Sequence, residues 1–335
     1  MISYTIRRLL ILIPTVFAAI SFLFVLFFAL PGDPASLIAG WQNRSIDPGV
    51  VQRINDRYGL DDPLYVQFKD YWEHTIHFDL GESYLNRRQV NDILGERSVN
   101  SLRLAFWAIL IEIVVGISVG LVSALRRYSI WDKSTTVITA VASAVPVFVL
   151  GFILQYVFAV LPNKWGWPAW ARLRTQGIGP NTWTLGVIPT GDQWRYLTLP
   201  AIALASVTTA LAARMTRGSM LEVLRSDYMR TARAKGLRER SVVLRHGLRN
   251  AMLPVITLIG IDFGTAIGVA VLTETTFSWP GLGSTIANSV LQRDLPVLLG
   301  LVLVVVLVYA TINLVVDLSY AWFDPRIRYG RGSER

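Results

Sequence analysis

Asp227–Pro254 reads DYMRTARAKGLRERSVVLRHGLRNAMLP, a stretch in which nine of 28 residues are charged and seven of those are basic. Apolar runs long enough to cross a membrane lie on both sides of it. A hydrophobic chain that interrupts itself with so polar a segment needs something outside the bilayer to grip it, which makes the segment a candidate docking site. The whole chain has 335 residues, 53% hydrophobic and 16% charged. Six apolar segments exceed what a soluble core helix needs: Leu9–Leu30, Ser101–Leu125, Ser134–Leu161, Leu197–Ala213, Pro254–Thr275 and Leu295–Trp322. About 20 residues at ~1.5 Å rise cross a ~30 Å hydrocarbon core. In lipid only helices and closed barrels satisfy the backbone, and these runs are too long and continuous for barrel strands. The chain reads as an all-α polytopic membrane protein with six transmembrane helices.

Lys and Arg set the orientation. With the N-terminus in the cytoplasm, the inside segments 1–8, 126–133, 214–252 and 323–335 hold 19 Lys and Arg against six Asp and Glu. The outside segments 31–100, 162–196 and 276–294 hold 12 against 13. Both termini are therefore expected inside, and the net charge of +9 is an inside excess that needs no nucleic acid. The first apolar run is too long for a signal-peptide core and lacks a small-x-small cleavage site, so it reads as an uncleaved helix after Arg7 and Arg8. The sequence has no cysteine, which excludes disulfides and thiolate metal sites. His74 and His77 lie on a polar stretch and read as a solvated helix face rather than a metal site.

Residues 31–100 form the largest extramembrane piece. Asp47-Pro48 and Asp62-Pro63 each look like an N-cap carboxylate before a first-turn proline. Val51, Ile54 and Tyr58 follow the first on one face; Leu64, Phe68, Tyr71, Trp72 and Ile76 form a longer stripe after the second. Such short amphipathic helices are expected to pack on the outer ends of the membrane helices. Residues 162–196 carry Trp165, Trp167, Trp170, Trp183 and Trp194, the composition of an outer interfacial belt.

Four acids fall within the apolar spans. Glu274 and Asp317 lie close enough to span ends to be solvated. Glu112 and Asp262 lie deeper, where an ionised group costs roughly 2.5–3.5 kcal/mol on insertion scales. They either hydrogen-bond between helices or line a translocation path. Gly260, Gly264 and Gly268 share one face of the fifth span, and Gly116 with Gly120 one face of the second, both suited to close helix packing.

The basic segment has internal structure. Ser226 or Asp227 caps a short helix that Gly236 ends in the left-handed conformation. A second helix over Glu239–Met252 places Leu244, Leu248 and Met252 on one stripe and spreads Arg238, Arg245 and Arg249 over another. Pro254 opens the next span. This is a compact cytoplasmic knob within a 39-residue loop, 214–252. No G-x-x-x-x-G-K-[ST] phosphate loop occurs, so ATP, if it drives this protein, binds to another subunit.

The knob resembles the cytoplasmic loop of permease subunits of binding-protein-dependent ABC importers, whose pattern is E-A-A-x-x-x-G followed by I-x-L-P. Arg230-Thr231-Ala232 stand where E-A-A would, and Gly236 is the motif glycine. Pro254 lies eighteen residues beyond it. That longer form, with Arg245-His246-Gly247-Leu248-Arg249-Asn250-Ala251-Met252-Leu253-Pro254, is similar to the dipeptide/oligopeptide/nickel branch. Matching stretches run along nearly the full length: Leu30-Pro31-Gly32-Asp33-Pro34, Tyr58–Leu64, Asp79-Leu80-Gly81-Glu82-Ser83, Ile188-Pro189-Thr190-Gly191, Phe277–Gly283, Arg293-Asp294-Leu295-Pro296 and Asp324–Tyr329. Asp262 departs from the neutral amide expected in this branch, which bears on substrate class.

The resemblance implies a type I ABC importer permease of the kind with a large extracytoplasmic insertion, multi-pass in a bacterial or archaeal cell (inner) membrane. Its expected divisions are 1–30 for the N-terminal end and first helix, 31–100 for the insertion, 101–322 for a five-helix core, and 323–335 for a cytoplasmic tail. The expected partners are a second homologous permease, two ABC ATPase subunits, an extracytoplasmic substrate-binding protein and membrane lipid. The chain itself would hold no cofactor and perform no catalysis, ATP and Mg belonging to the ATPases. The substrate class implied is a di- or oligopeptide, with nickel chelates, glutathione-like compounds or short oligosaccharides as alternatives. The coupling residues implied are Tyr228, Arg230, Thr231, Ala232, Ala234, Lys235, Gly236, Leu237, Arg245, His246, Arg249, Asn250 and Pro254. Two rivals come from other classes: an ion-coupled secondary transporter using Asp262 or Glu112, and a membrane hydrolase, which the absence of histidine from every span disfavours.

Overall fold

A computed structural model of the chain describes residues 2–25, 52, 62–83, 85–168, 172–180, 182–292 and 294–323. The expected helix start at Asp47-Pro48, the motif at 30–34 and the tail motif at 324–329 lie outside the described residues. The helices are α1 (Ile2–Phe24), α2 (Leu64–Ile76), α3 (Val90–Ile111), α4 (Ile117–Leu125), α5 (Ile130–Ala144), α6 (Val147–Gln155), α7 (Leu161–Lys164), α8 (Gln193–Val223), α9 (Asp227–Ala234), α10 (Glu239–Ser241), α11 (Arg249–Thr276), α12 (Leu282–Gln292) and α13 (Leu295–Phe323). Wide π-helical turns at Glu112–Gly116, Tyr156–Val160 and Val242–Leu248 join α3 to α4, α6 to α7 and α10 to α11. Strands β1 (Trp183–Thr184) and β2 (Ile188–Pro189) form one antiparallel hairpin, Trp183 opposite Pro189.

Among the described residues, five stretches are long and apolar enough to span a membrane: Val90–Leu125, Val147–Lys164, Gln193–Val223, Glu239–Ala266 and Pro296–Val315. The first expected span appears as the shorter apolar segment Ile13–Phe22 within α1. The third differs from expectation. Instead of one helix from Ser134 to Leu161, α5 stops at Ala144 and α6 starts at Val147, with Val145 extended at ψ 125°. Pro146 is the cause, since its ring disfavours the helical conformation in the residue before it. Pro254 also departs from expectation: it lies inside α11 rather than opening it. A proline is tolerated in a membrane helix where local π adjustment re-satisfies the backbone, and a π turn lies just upstream.

The chain divides into two compact units, Met1–Asn100 with Gly281–Leu314, and Ser101–Pro280 with Val315–Arg335. In the first, α2 packs its aromatic stripe on α1. Trp72 stacks on Phe17 at 4.8 Å, and Phe24 meets Phe68 at 5.1 Å and Tyr71 at 5.6 Å. Leu64 and Ile76, at the ends of the stripe, are exposed. The capping expectation fails here: Pro63 rather than Asp62 is the cap residue, and no side chain caps the helix. Ser83 Oγ donates to Asp294 Oδ2 at 2.5 Å, both buried, so two of the motifs read from sequence meet.

In the second unit α8 is central, packing against α4, α5, α6 and α11. Its Ala212, Ala213 and Thr216 press on Gly116 and Gly120. A Cβ on Gly120 would stand 2.5 Å from Ala213 O and 2.7 Å from Thr216 Cβ. The expected glycine seam of the second span is thus a contact with α8. Gly268 behaves otherwise, being exposed with nothing within 4 Å of its Cβ position, while Gly264 is buried and Gly260 half-buried. Gly120→Ala should therefore lower stability by about 1–3 kcal/mol through overpacking. Gly218→Ala, with open space at its Cβ position, should not; thermal unfolding of the two variants in detergent checks this.

Candidate functional site: a knob, a carboxyl pair and a clamp

The basic segment folds as a knob continuous with two membrane helices. Ser226, at φ −70° and ψ 153°, precedes α9, but its hydroxyl donates to Val223 O at 2.6 Å instead of capping the helix. The C-terminal end of α9 is a Schellman motif. Gly236 sits at φ +75°, its N–H donates to Arg233 O at 2.9 Å, and the Leu237 N–H donates to Ala232 O at 3.4 Å. The left-handed corner expected from sequence is present. Arg233 Nη2 donates to Glu239 Oε1 at 2.9 Å across it. Both side chains are largely exposed, so the pair contributes under about 1 kcal/mol.

The interior of the knob is apolar. Met229, Ala232 and Val242 pack with Val223 and Leu224 from the end of α8 and the turn after it. A Cβ on Gly247 would lie 3.2 Å from Met229 Cε and 3.4 Å from Met220 Cε, so both thioethers rest on that glycine. The buried stripe is Val243, Gly247, Ala251 and Val255, and the expected Leu244–Leu248–Met252 stripe is a correction: Leu244 is 42% exposed. The π turn is the reason, because its wider i→i+5 spacing rotates the register. Exposed are Tyr228, Arg230, Thr231, Ala234, Lys235, Gly236, Leu237, Arg245, Arg249, Asn250 and Pro254; His246 is half-buried and Ala232 buried. The outer face is thus aromatic and aliphatic groups set among cations.

Deeper in the same unit, Glu112 opens the first π turn and is fully buried; Asp262 of α11 is buried too. The two carboxyls lie beside each other, and Thr208 of α8 lies beside Glu112. The Thr208 hydroxyl, however, donates to Ala205 O at 3.1 Å. As carboxylates, both Glu112 oxygens and Asp262 Oδ2 have no donor among the described residues. Two carboxylates offer only acceptors, so neither can satisfy the other while both are ionised. The sequence placed these two acids deep in their spans but did not pair them.

At the other end of α11, Ser101 Oγ donates to Glu274 Oε1 at 2.5 Å, and Glu274 is fully buried. The expectation of a solvated Glu274 is therefore wrong: a span end packed by protein is not open to water. Phe277 and Trp279 are buried beside it, Trp279 in the core with Leu104, Leu197 and Ala270. Trp183 lies in the hairpin under the Arg103 guanidinium, 4.3 Å from the ring centroid, while Trp165, Trp167 and Trp194 are exposed.

Residues 116–329 match the family described as "Binding-protein-dependent transport system inner membrane component", and residues 1–105 match the corresponding N-terminal family. The chain belongs to this family. It is 40% identical over 329 residues to the glutathione transport system permease protein GsiC of Escherichia coli (strain K12), covering 98% of this chain and 100% of that one. It is 38% identical over 331 residues to the protein of the same name from Salmonella choleraesuis (strain SC-B67), again covering 98% and 100%. A solved structure titled as an amino acid ABC transporter with histidines aligns over 69% of this chain and 94% of that chain, at TM-score 0.48 and 15% identity.

The protein is thus an ABC importer permease of the dipeptide/oligopeptide/nickel family, a multi-pass inner-membrane component. It works with ATPase and substrate-binding partners. With the energy source in partner subunits, the ion-coupled and hydrolase rivals fall away.

One feature of this permease has no counterpart in the sequence motifs. Arg217 of α8 grips Asp132 of α5 with Nε to Oδ1 at 2.6 Å and Nη2 to Oδ2 at 3.0 Å. Ser123 Oγ donates to the same carboxylate at 2.5 Å and the Tyr128 N–H at 2.9 Å. The partners are 85 residues apart, and no local pattern signals the pairing. The Arg217 guanidinium, then the Ser123 hydroxyl, hold the Asp132 carboxyl well below the usual carboxylate range. A depressed folded-state value contributes stability above the unfolded pKa of ~3.9, lost as pH falls through the lower folded value. Asp132→Asn should therefore unfold earlier than the parent by a constant margin from about pH 8 to about pH 5, a margin that shrinks below about pH 4. Thermal unfolding against pH measures it.

Proposed function

We propose that this permease carries short peptides, glutathione-like tripeptides among them, and that the Tyr228–Met252 knob couples it to an ATPase subunit. A second homologous permease, two ATPases and a substrate-binding protein complete the transporter, with both termini and the knob in the cytoplasm. Residues 31–100 form the extracytoplasmic insertion and 101–322 the translocating core. The carrying observation is the knob itself: an internally packed body, set on α8 and continuous with α11, that presents Tyr228, Leu237 and Leu244 among cations. Such a body transmits force, whereas a flexible basic loop would not. Closure of the ATPase pair then biases a two-state arrangement of the spans. The open face of Gly268 suits packing against the second permease.

Two tests bear on this reading. Nothing crowds the Cβ position of Gly236, so Gly236→Val acts through backbone strain alone. The left-handed conformation costs an L-residue roughly 1–2 kcal/mol, and a β-branched residue is a genuine outlier there. Membrane insertion should survive, while the reconstituted complex hydrolyses ATP with much less uptake per ATP; unchanged coupling removes the corner from the mechanism.

The substrate reading rests on the names of the relatives and on the Glu112–Asp262 pair. When the spans separate, those carboxyls face the opening, where a peptide ammonium supplies the donor they lack. Asp262→Asn keeps the shape and removes one charge. Competitive uptake of matched peptides with free and acetylated amino termini should show the larger loss for the free form. Equal losses for both would make the pair a helix–helix bond only.

A further inference from the structure

We propose that the turn between α4 and α5 is a binding surface for anionic phospholipid headgroups. Residues 126–133 contain three cations, Arg126, Arg127 and Lys133, and one acid, Asp132. The acid is buried and its oxygens are taken by Arg217, Ser123 and the Tyr128 N–H. The three cations are exposed, and none forms an ion pair among the described residues. The turn thus presents positive charge with its only internal counter-charge withdrawn.

Apolar anchors stand beside that charge. Ile130 is 81% exposed and Trp131 62%. Tyr128, at φ 63°, lies under the Arg127 guanidinium at 4.3 Å from its ring centroid. The exposed side of α5 continues from Ile130 through Val137, Ile138 and Val141, positions spaced as one helix face. A hydrocarbon-facing stripe, an indole at its edge and a cluster of cations beyond is the sequence of layers that an anionic leaflet offers in reverse. The Asp132 clamp holds the turn in place, so the groups are arranged before lipid arrives.

The surface lies at the inner leaflet if the proposed orientation holds, but the experiment does not depend on it, because vesicles carry the probe in both leaflets. The full transporter is reconstituted with brominated phosphatidylglycerol or with brominated phosphatidylcholine at equal mole fraction. The quenching of Trp131 is read as the difference between parent and Trp131→Phe. Phosphatidylglycerol should quench it several-fold more efficiently. In Arg126→Gln/Arg127→Gln/Lys133→Gln the excess should vanish while quenching by phosphatidylcholine stays the same. Equal quenching by both lipids in the parent, or an excess that survives the triple substitution, overturns the proposal. So does a Trp131 that neither lipid reaches, which would mean that a protein subunit covers the turn.

Discussion

The close approach of α8 to the Gly116–Gly120 face is the contact on which the larger unit depends. Lipid tails are as apolar as leucine, so helices in a membrane gain little from hiding apolar surface and associate through tight packing and polar bonds. Ala-rich α8 provides the packing, with Ala201, Ala203, Ala205, Ala210, Ala212 and Ala213 all buried. Once its backbone lies against the second span, the polar contacts fall into register: Thr208 beside Glu112, and Arg217 on Asp132. A bulkier seam would separate each of these pairs.

These polar contacts sit at three depths along the unit. Ser101 and Glu274 meet near one end, Glu112 and Asp262 midway, and Asp132 and Arg217 near the other. Each joins residues far apart in sequence, and the two outer contacts give a buried carboxylate its donors. Only the middle contact lacks a conventional donor. That leaves it the least satisfied of the three.

The apolar spans, the left-handed corner at Gly236 and the seam of the second span were legible because each depends on local composition or spacing. The stripe of the knob was misread because 3.6-residue periodicity fails across a π turn: Leu244 emerges and Val243 goes in. The break at Pro146 was visible as a proline but masked by uninterrupted hydropathy. Burial of Glu274 could not be inferred from its place near a span end, since that place says nothing about which protein groups cover it. The Asp132–Arg217 and Glu112–Asp262 partnerships are tertiary facts, and one sequence holds no signal for pairs of such separation.

The knob and the fifth span form an unbroken helical run from Glu239 to Thr276. At ~1.5 Å per residue that run is a rod of roughly 55 Å. Asp262 lies somewhat past its midpoint, beside Glu112 of the second span. The rod ties the knob at one end to the Ser101–Glu274 bond at the other, so the two ends cannot move independently while it stays helical. Linkage of this kind needs no unfolding of the rod, and it gives one short displacement two addresses.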